Sequence, residues 1–315
     1  MTGFPNISFE KLLRKSTQNT FKANADDLPV KTKLYLGNCL DVLTDMGSEC
    51  VHIVVTDPPY FLEGLDSDWK KGKKSKKSGG VIGGLPIGMK FDIQQGKKLQ
   101  EFLTPINEQL FRILKPGGFM LMFSAPRLFH RMAVSVEDAG FEIRDQYVWH
   151  FEKRAQFKAF KLDHLVNQRS DMTKQEKDWA IEYLEGRRTP QLRPQFESIL
   201  CAQKPKSGTF IDNWLSHKTG LIDAKQSLTG KAPSTVMKVE KPIKSTYNGH
   251  LTTKPVKLCQ HLIKLFSYKG QTVLDPFVGS GTTCVAARKA KRHSIGIEIN
   301  SEYMKIAKQR IEEET

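Results

Sequence analysis

The feature that most constrains how this chain folds is an alternation. Short apolar runs, KLYLG (33–37), VHIVVTD (51–57), FMLMFS (119–124), YVWHF (147–151), FESILCA (196–202), TVLDPF (272–277) and HSIGIEI (293–299), take turns with segments of helical periodicity at 98–114, 127–139, 254–267, 282–290 and 301–313. Brief, largely apolar runs suit strands buried on both faces. Joined by amphipathic helices, they predict an α/β fold: a doubly wound, mostly parallel seven-stranded sheet covered on both sides. Ligands of such a sheet sit beyond the carboxyl ends of its strands, so functional residues are to be sought along that rim.

Other stretches break the rhythm. Residues 1–31 are polar apart from a short amphipathic piece, Phe9 to Leu13, and read as an arm. Residues 62–98 carry KKGKKSKKSGG (70–80) and GGLPIG (83–88), a basic, glycine-rich loop with no apolar face to bury. The stretches 153–194 and 204–250 are polar and charged and read as insertions. A length of 315 residues fits one catalytic unit with such insertions. With 49 Lys+Arg against 34 Asp+Glu the formal charge is +15, which favours a polyanionic partner, nucleic acid first. No apolar run reaches the roughly 18 residues a membrane span needs, and no signal-peptide pattern stands at the start, so the expectation is a soluble, cytoplasmic protein. The five cysteines, Cys39, Cys50, Cys201, Cys259 and Cys284, are scattered without a CxxC pair, which predicts neither a disulfide framework nor a metal site.

The sharpest local signal is Asp57-Pro58-Pro59-Tyr60, directly after the apolar run VHIVV. It sets a carboxylate, two rigid residues and an aromatic ring at a strand's carboxyl end. An exocyclic amine needs such a set before it can act as a nucleophile, because its lone pair is delocalised into the ring. A carboxylate and a carbonyl that accept its two N–H bonds localise that pair. Asp57 and the Pro58 carbonyl fit those roles, proline keeps the turn out of helix, and Tyr60 offers a face for stacking a base. The second signal is TVLDPFVGSGTT (272–283), a strand that runs into glycines and then a helix. Gly279 and Gly281 permit close approach of a ligand to the backbone, and Glu298, at the end of the next strand, is placed to bind ribose hydroxyls. No P-loop lysine follows the glycines, which favours a nucleoside cofactor over a triphosphate.

On these motifs the chain resembles the permuted, beta-group DNA amino-methyltransferases. In that family a DPPY motif precedes an FxGxG motif and the DNA-recognising region lies between; here DPPY stands at 57–60 and Phe277-Val-Gly-Ser-Gly281 follows. LYLGNCLDVL (34–43) resembles the segment before the catalytic strand, with Asn38 in place of the usual Asp. LKPGGFMLMF (114–123), VWHFEK (148–153) and RPQFESIL (193–200) resemble the later strands, and His250-Leu-Thr-Thr-Lys254-Pro255 resembles an HxTxKP motif. The resemblance implies a Rossmann-like fold that uses S-adenosylmethionine to methylate N6 of adenine in double-stranded DNA, by direct displacement after base flipping. It implies a catalytic set of Asp57, Pro58, Pro59 and Tyr60. Around the cofactor it implies Asn38, Cys39, Asp57, Lys254, Asp275, Phe277, Gly279, Gly281, Thr282 and Glu298. The chain then divides into an arm (1–31), a catalytic part (32–203, with the basic loop 62–98 and insertion 153–194), a target-recognition region (204–249) and a cofactor-binding part (250–315). Phosphate contacts would fall to Lys70, Lys71, Lys73, Lys74, Lys76 and Lys77 with Arg187, Arg188 and Arg193. A homodimer and a cognate restriction endonuclease are suggested by the family alone. Trp149 stays open between a core aromatic and a wall of the base pocket. Three alternatives also stay open: an N4-cytosine DNA methyltransferase, an RNA or protein-amide methyltransferase, and a catalytically silent DNA-binding module.

Overall fold

The computed structural model describes residues 29–60, 93–153, 159, 161–190, 192–242 and 253–314. Their frame is one eight-stranded sheet in the order β1-β8-β7-β2-β3-β5-β4-β6. The strands are β1 (Thr32–Leu36), β2 (Val51–Thr56), β3 (Leu114–Ser124), β4 (Glu142–His150), β5 (Phe196–Gln203), β6 (Val236–Lys238), β7 (Thr272–Asp275) and β8 (His293–Glu298). Neighbours pair in parallel except around β5, which runs antiparallel to both β3 and β4. The expected fold class therefore holds, with one correction: the sheet has eight strands, not seven. The extra one, β6, is three residues long, too short for any periodicity to show, and forms by pairing with β4 at the sheet's edge.

Alternation within the strands builds two cores. In β3, Phe119, Leu121 and Phe123 point to one face while Met120 and Met122 point to the other. The first face is covered by α7 (Val256–Phe266) and α8 (Thr282–Lys289), with α9 (Ser301–Glu313) beside them. The second is covered by α1 (Cys39–Asp45), α2 (Ile93–Ile113) and α3 (Phe129–Asp138). Helix α2 begins five residues before the periodicity suggested, so the expected basic loop ends earlier than 98. The lysines of 70–77 lie outside the described residues, as do His250, Leu251 and Thr252.

The insertions also hold structure that the apolar pattern did not announce. Residues 153–194 contain α4 (Asp163–Asn167) and α5 (Lys174–Tyr183), and the stretch after β5 contains α6 (Phe210–His217). That stretch is tied to the sheet at two ends. At the entry of β3, Gly117 has φ 74° and its N–H donates to the Lys204 carbonyl at 3.1 Å. Buried Asn213 accepts from the Ser207 N–H and donates to the Thr219 carbonyl, both at 3.0 Å, while Thr219 donates to the Pro116 carbonyl. At the opposite end β6 pairs with β4, and the Val239 N–H donates to the His150 carbonyl. The chain after β5 thus travels from the entry end of the strands to their carboxyl rim, and brings residues 239–241 to that rim.

Candidate active site

Buried β2, with Ile53, Val54 and Val55 at 0 % exposure, delivers Asp57 to the rim, and the two prolines turn the chain there. Tyr60 donates its hydroxyl proton to Asp57 Oδ1, and the Tyr60 carbonyl accepts from Gln95 Nε2 at 3.0 Å, which moors the turn to the start of α2. Adjacent β7 delivers Asp275. Thr56 Oγ1 donates to Asp275 Oδ1 at 2.7 Å, so the two motifs, far apart in sequence, meet across the β2–β7 pair. This hydrogen bond sets the strand ends that carry the two motifs side by side.

The glycine turn is held from two sides. Glu298 Oε2 accepts from the Gly279 N–H at 2.9 Å and Oε1 accepts from the Asn300 N–H at 2.8 Å. Gly279 and Gly281 have φ of 51° and 85°. A Cβ on Gly281 would lie 3.1 Å from Ala307 Cα, so α9 presses on the turn. Arg310 reaches back from α9, donating to Ser280 Oγ at 3.2 Å and Thr282 Oγ1 at 2.8 Å. Phe277 is half-buried, its ring 6.0 Å from that of Phe102. At the end of β1, Asn38 is exposed and its side chain caps α1 by accepting from the Leu40 N–H at 2.9 Å, with Cys39 buried behind it. The Gly37 N–H donates to the Glu298 carbonyl, which places Asn38 next to Glu298.

Lys254 completes the site. Its ammonium contacts Asp57 Oδ2 and stands 3.3 Å from Glu197 Oε2, with the Phe123 ring centroid 5.3 Å away. Glu197, at the rim start of β5, was not singled out from the sequence. The available signal was a charged residue inside the otherwise apolar run FESILCA. Trp149 is resolved as a core aromatic: it is 1 % exposed and its indole donates to the Val239 carbonyl at 2.6 Å. Arg187 and Arg188 are exposed on the insertion, and Arg193 on the irregular segment leading into β5.

Electrostatics follow from burial. Burial opposes the Lys254 ammonium, but the carboxylates of Asp57 and Glu197 outweigh it and its pKa is raised. The Tyr60 phenol is pushed well above its usual range by burial and then by the Asp57 charge, so it remains a proton donor to Asp57. Burial lifts Glu298 as well. Asp275 is raised to about 6 by burial, against its hydrogen bonds from Thr283, Thr56 and the Phe277 N–H.

That shift gives a stability prediction. With an unfolded value of 3.8 and a folded value of about 6, the native state binds the extra proton between them. Stability contributed by this group is present below pH 3.8 and lost as pH rises through 6. Asp275→Asn removes the titration. Its stability relative to wild type should therefore improve from pH 4 to pH 7 by roughly 2 kcal/mol, at about 1.36 kcal/mol per unit over the part of the shift that this range spans. Urea titrations of both proteins across that range check it; a stability difference independent of pH would refute the assignment.

The residues present suit a cationic nucleoside cofactor. Carboxylates of Asp57, Asp275 and Glu298 cluster at the ends of adjacent strands, the positive-φ glycine turn lies beside them, and none of the described residues at the turn is a lysine. Among the described residues no His/Cys/Asp/Glu cluster could hold a metal ion, and no helix is long and apolar enough to cross a membrane.

A doubly wound sheet with one reversed strand, a proline turn after β2 and a glycine turn after β7 is the α/β methyltransferase fold. The particular family follows from comparison: a sequence family described as DNA methylase, the N6_N4_Mtase family, matches residues 51–309, and the chain belongs to it. The type II methyltransferase M.HindIII of Haemophilus influenzae is 31 % identical over 301 residues, covering 88 % of this chain and 94 % of that protein. Among solved structures, the cytosine-N4-specific PvuII DNA methyltransferase superposes with a TM-score of 0.59 at 16 % identity, covering 89 % of this chain and 86 % of that one. M1.HpyAVI in complex with S-adenosylmethionine gives a TM-score of 0.54 at 19 % identity, covering 89 % and 98 %. These structural likenesses bear on the fold.

Proposed function

We propose that the chain methylates N6 of adenine at specific sites in double-stranded DNA, with S-adenosylmethionine as donor. The observation that carries this reading is Asp57 held between Tyr60 and Lys254 at the rim, one strand away from the glycine turn. The cofactor supplies a methyl group on a sulfonium, an electrophile that needs no activation. Everything else falls to the chain's own residues. A stacked base hides its amino group, so the target is rotated out of the duplex at a cost of a few kcal/mol, offset by phosphate contacts. Asp57 and the Pro58 carbonyl accept the two N–H bonds of the amine, which localises the lone pair and directs it at the methyl carbon. Nitrogen would displace the methyl group from sulfur directly, the C–S bond breaking to leave a neutral thioether with no covalent enzyme intermediate, and Asp57 would take the proton that the charged nitrogen sheds.

Adenine is favoured because Asp, rather than Ser, heads the motif. The glycine turn would border the cofactor's methionine part, and Glu298 with Asn38 and Cys39 would border its nucleoside. The segment 204–249 would read sequence, since it reaches the rim at residues 239–241. A restriction partner belongs to the same reading, supported by relatives named as type II methyltransferases; cytoplasmic placement and self-association rest on the resemblance. Mass analysis of nucleosides from DNA methylated in vitro tests the central point. N6-methyladenine is expected; N4-methylcytosine would replace adenine with the alternative substrate.

A further inference from the structure

We infer that Glu197 is a positioning residue for methyl transfer, the counter-ion that draws Lys254 away from Asp57 when the target amine binds. The inference rests on the amino-methyl transfer reading above. Both oxygens of Asp57 are engaged from within the protein, Oδ1 by the Tyr60 hydroxyl and Oδ2 by the Lys254 ammonium. Transfer asks one of them to accept an N–H of the amine and then to face a nitrogen that becomes positive. A cation on the same oxygen opposes that charge, so Lys254 is the partner that has to yield. It is buried, at 7 % exposure, and a buried ammonium without a counter-charge is strongly disfavoured.

Glu197 Oε2 answers both needs. It is sealed from solvent, has no hydrogen-bond partner among the described residues, and stands 3.3 Å from the Lys254 ammonium. A small swing of the lysine exchanges one carboxylate for the other without exposing its charge. The far oxygen of Glu197 is fixed by a second cation: Lys241 Nζ lies 3.6 Å from Oε1 and 3.8 Å from the centroid of the Phe151 ring. Lys241 arrives on the chain just after β6, at the end of the stretch that crosses from the entry of the strands to the rim. Charges therefore alternate along Asp57, Lys254, Glu197 and Lys241, and the series runs from the reacting carboxylate to the segment proposed to read DNA. Displacing Lys241 toward a phosphate would leave Glu197 freer to take Lys254, which couples recognition to release of Asp57.

A double-mutant cycle tests this at saturating cofactor and DNA. Glu197→Gln keeps the shape and removes the charge, so Lys254 stays on Asp57: kcat should fall about 50-fold while dissociation constants for cofactor and duplex stay within about threefold. In a Lys254→Met background no lysine competes for Asp57 Oδ2, and adding Glu197→Gln should cost less than about threefold more. Losses that multiply, or a kcat within threefold of wild type for Glu197→Gln, would overturn the inference. If Glu197→Gln does not fold, the cycle is run with Glu197→Asp. Its carboxylate is withdrawn by a methylene, and its loss in kcat should again vanish in the Lys254→Met background. Product analysis of the wild type runs alongside. The cycle reads Glu197 on whichever base is modified, so failure of the adenine reading and failure of this inference are separate results.

Discussion

Replacing Asp57 by alanine is expected to lower kcat on the order of a thousandfold or more while cofactor affinity stays within about tenfold. The asymmetry follows from where the two oxygens point. One faces Tyr60 and the other Lys254, whereas the glycine turn is held by Glu298 and Arg310 without help from Asp57. Single-turnover methyl transfer and calorimetric titration of cofactor separate the two effects. Measurable turnover near the wild-type rate would remove Asp57 from the mechanism.

The same substitution should destabilise the fold, which a purely catalytic role would not require. Lys254 loses its closest counter-charge while remaining buried, and only Glu197 is left to balance it. Breaking a buried pair from one side costs roughly 3–5 kcal/mol; partial exposure of Asp57 and the surviving carboxylate bring the expectation down to about 1–3 kcal/mol. Adding Lys254→Met to Asp57→Ala should restore most of that stability and none of the activity. Equilibrium denaturation of the single and double variants reads the first half, and the transfer assay reads the second.

What the sequence disclosed, and what it withheld, divides along locality. The turns at 57–60 and 277–281 are written in consecutive residues, because proline and glycine act on their own backbone, and the alternation of strands and helices is a periodic signal. Glu197 acquires meaning only beside Lys254 and Asp57, from other elements, and no periodicity in FESILCA marks which residue of the strand meets them. Lys241 is one of many lysines in the chain and is distinguished only by where β6 leaves it. Helices α5 and α6 had a readable mark that the apolar pattern passed over: Thr173 with Glu176, and Thr209 with Asp212, each form a capping box. Strand β6 had none, since three residues pair there only because β4 offers an edge.

Gly281→Ala is the second substitution expected to have a large effect, and it separates two kinds of glycine. Gly281 has φ 85° at the N-cap of α8, and an added Cβ would stand 3.1 Å from Ala307 Cα and 3.3 Å from the Ala307 carbonyl oxygen. Both obstacles are backbone of α9, so the turn itself has to shift, and with it the N–H groups of residues 279–282. Left-handed backbone alone costs about 1–2 kcal/mol; with the crowding we expect about 2–4 kcal/mol and a cofactor dissociation constant raised about tenfold or more. Gly270 supplies the control: its φ is 78°, yet nothing lies within 4 Å of a Cβ built there. Gly270→Ala should therefore show the backbone cost and leave cofactor binding unchanged. If the two variants melt alike and bind cofactor alike, pressure from α9 does not shape the cofactor turn, and the glycine at 281 answers to its dihedral angle only.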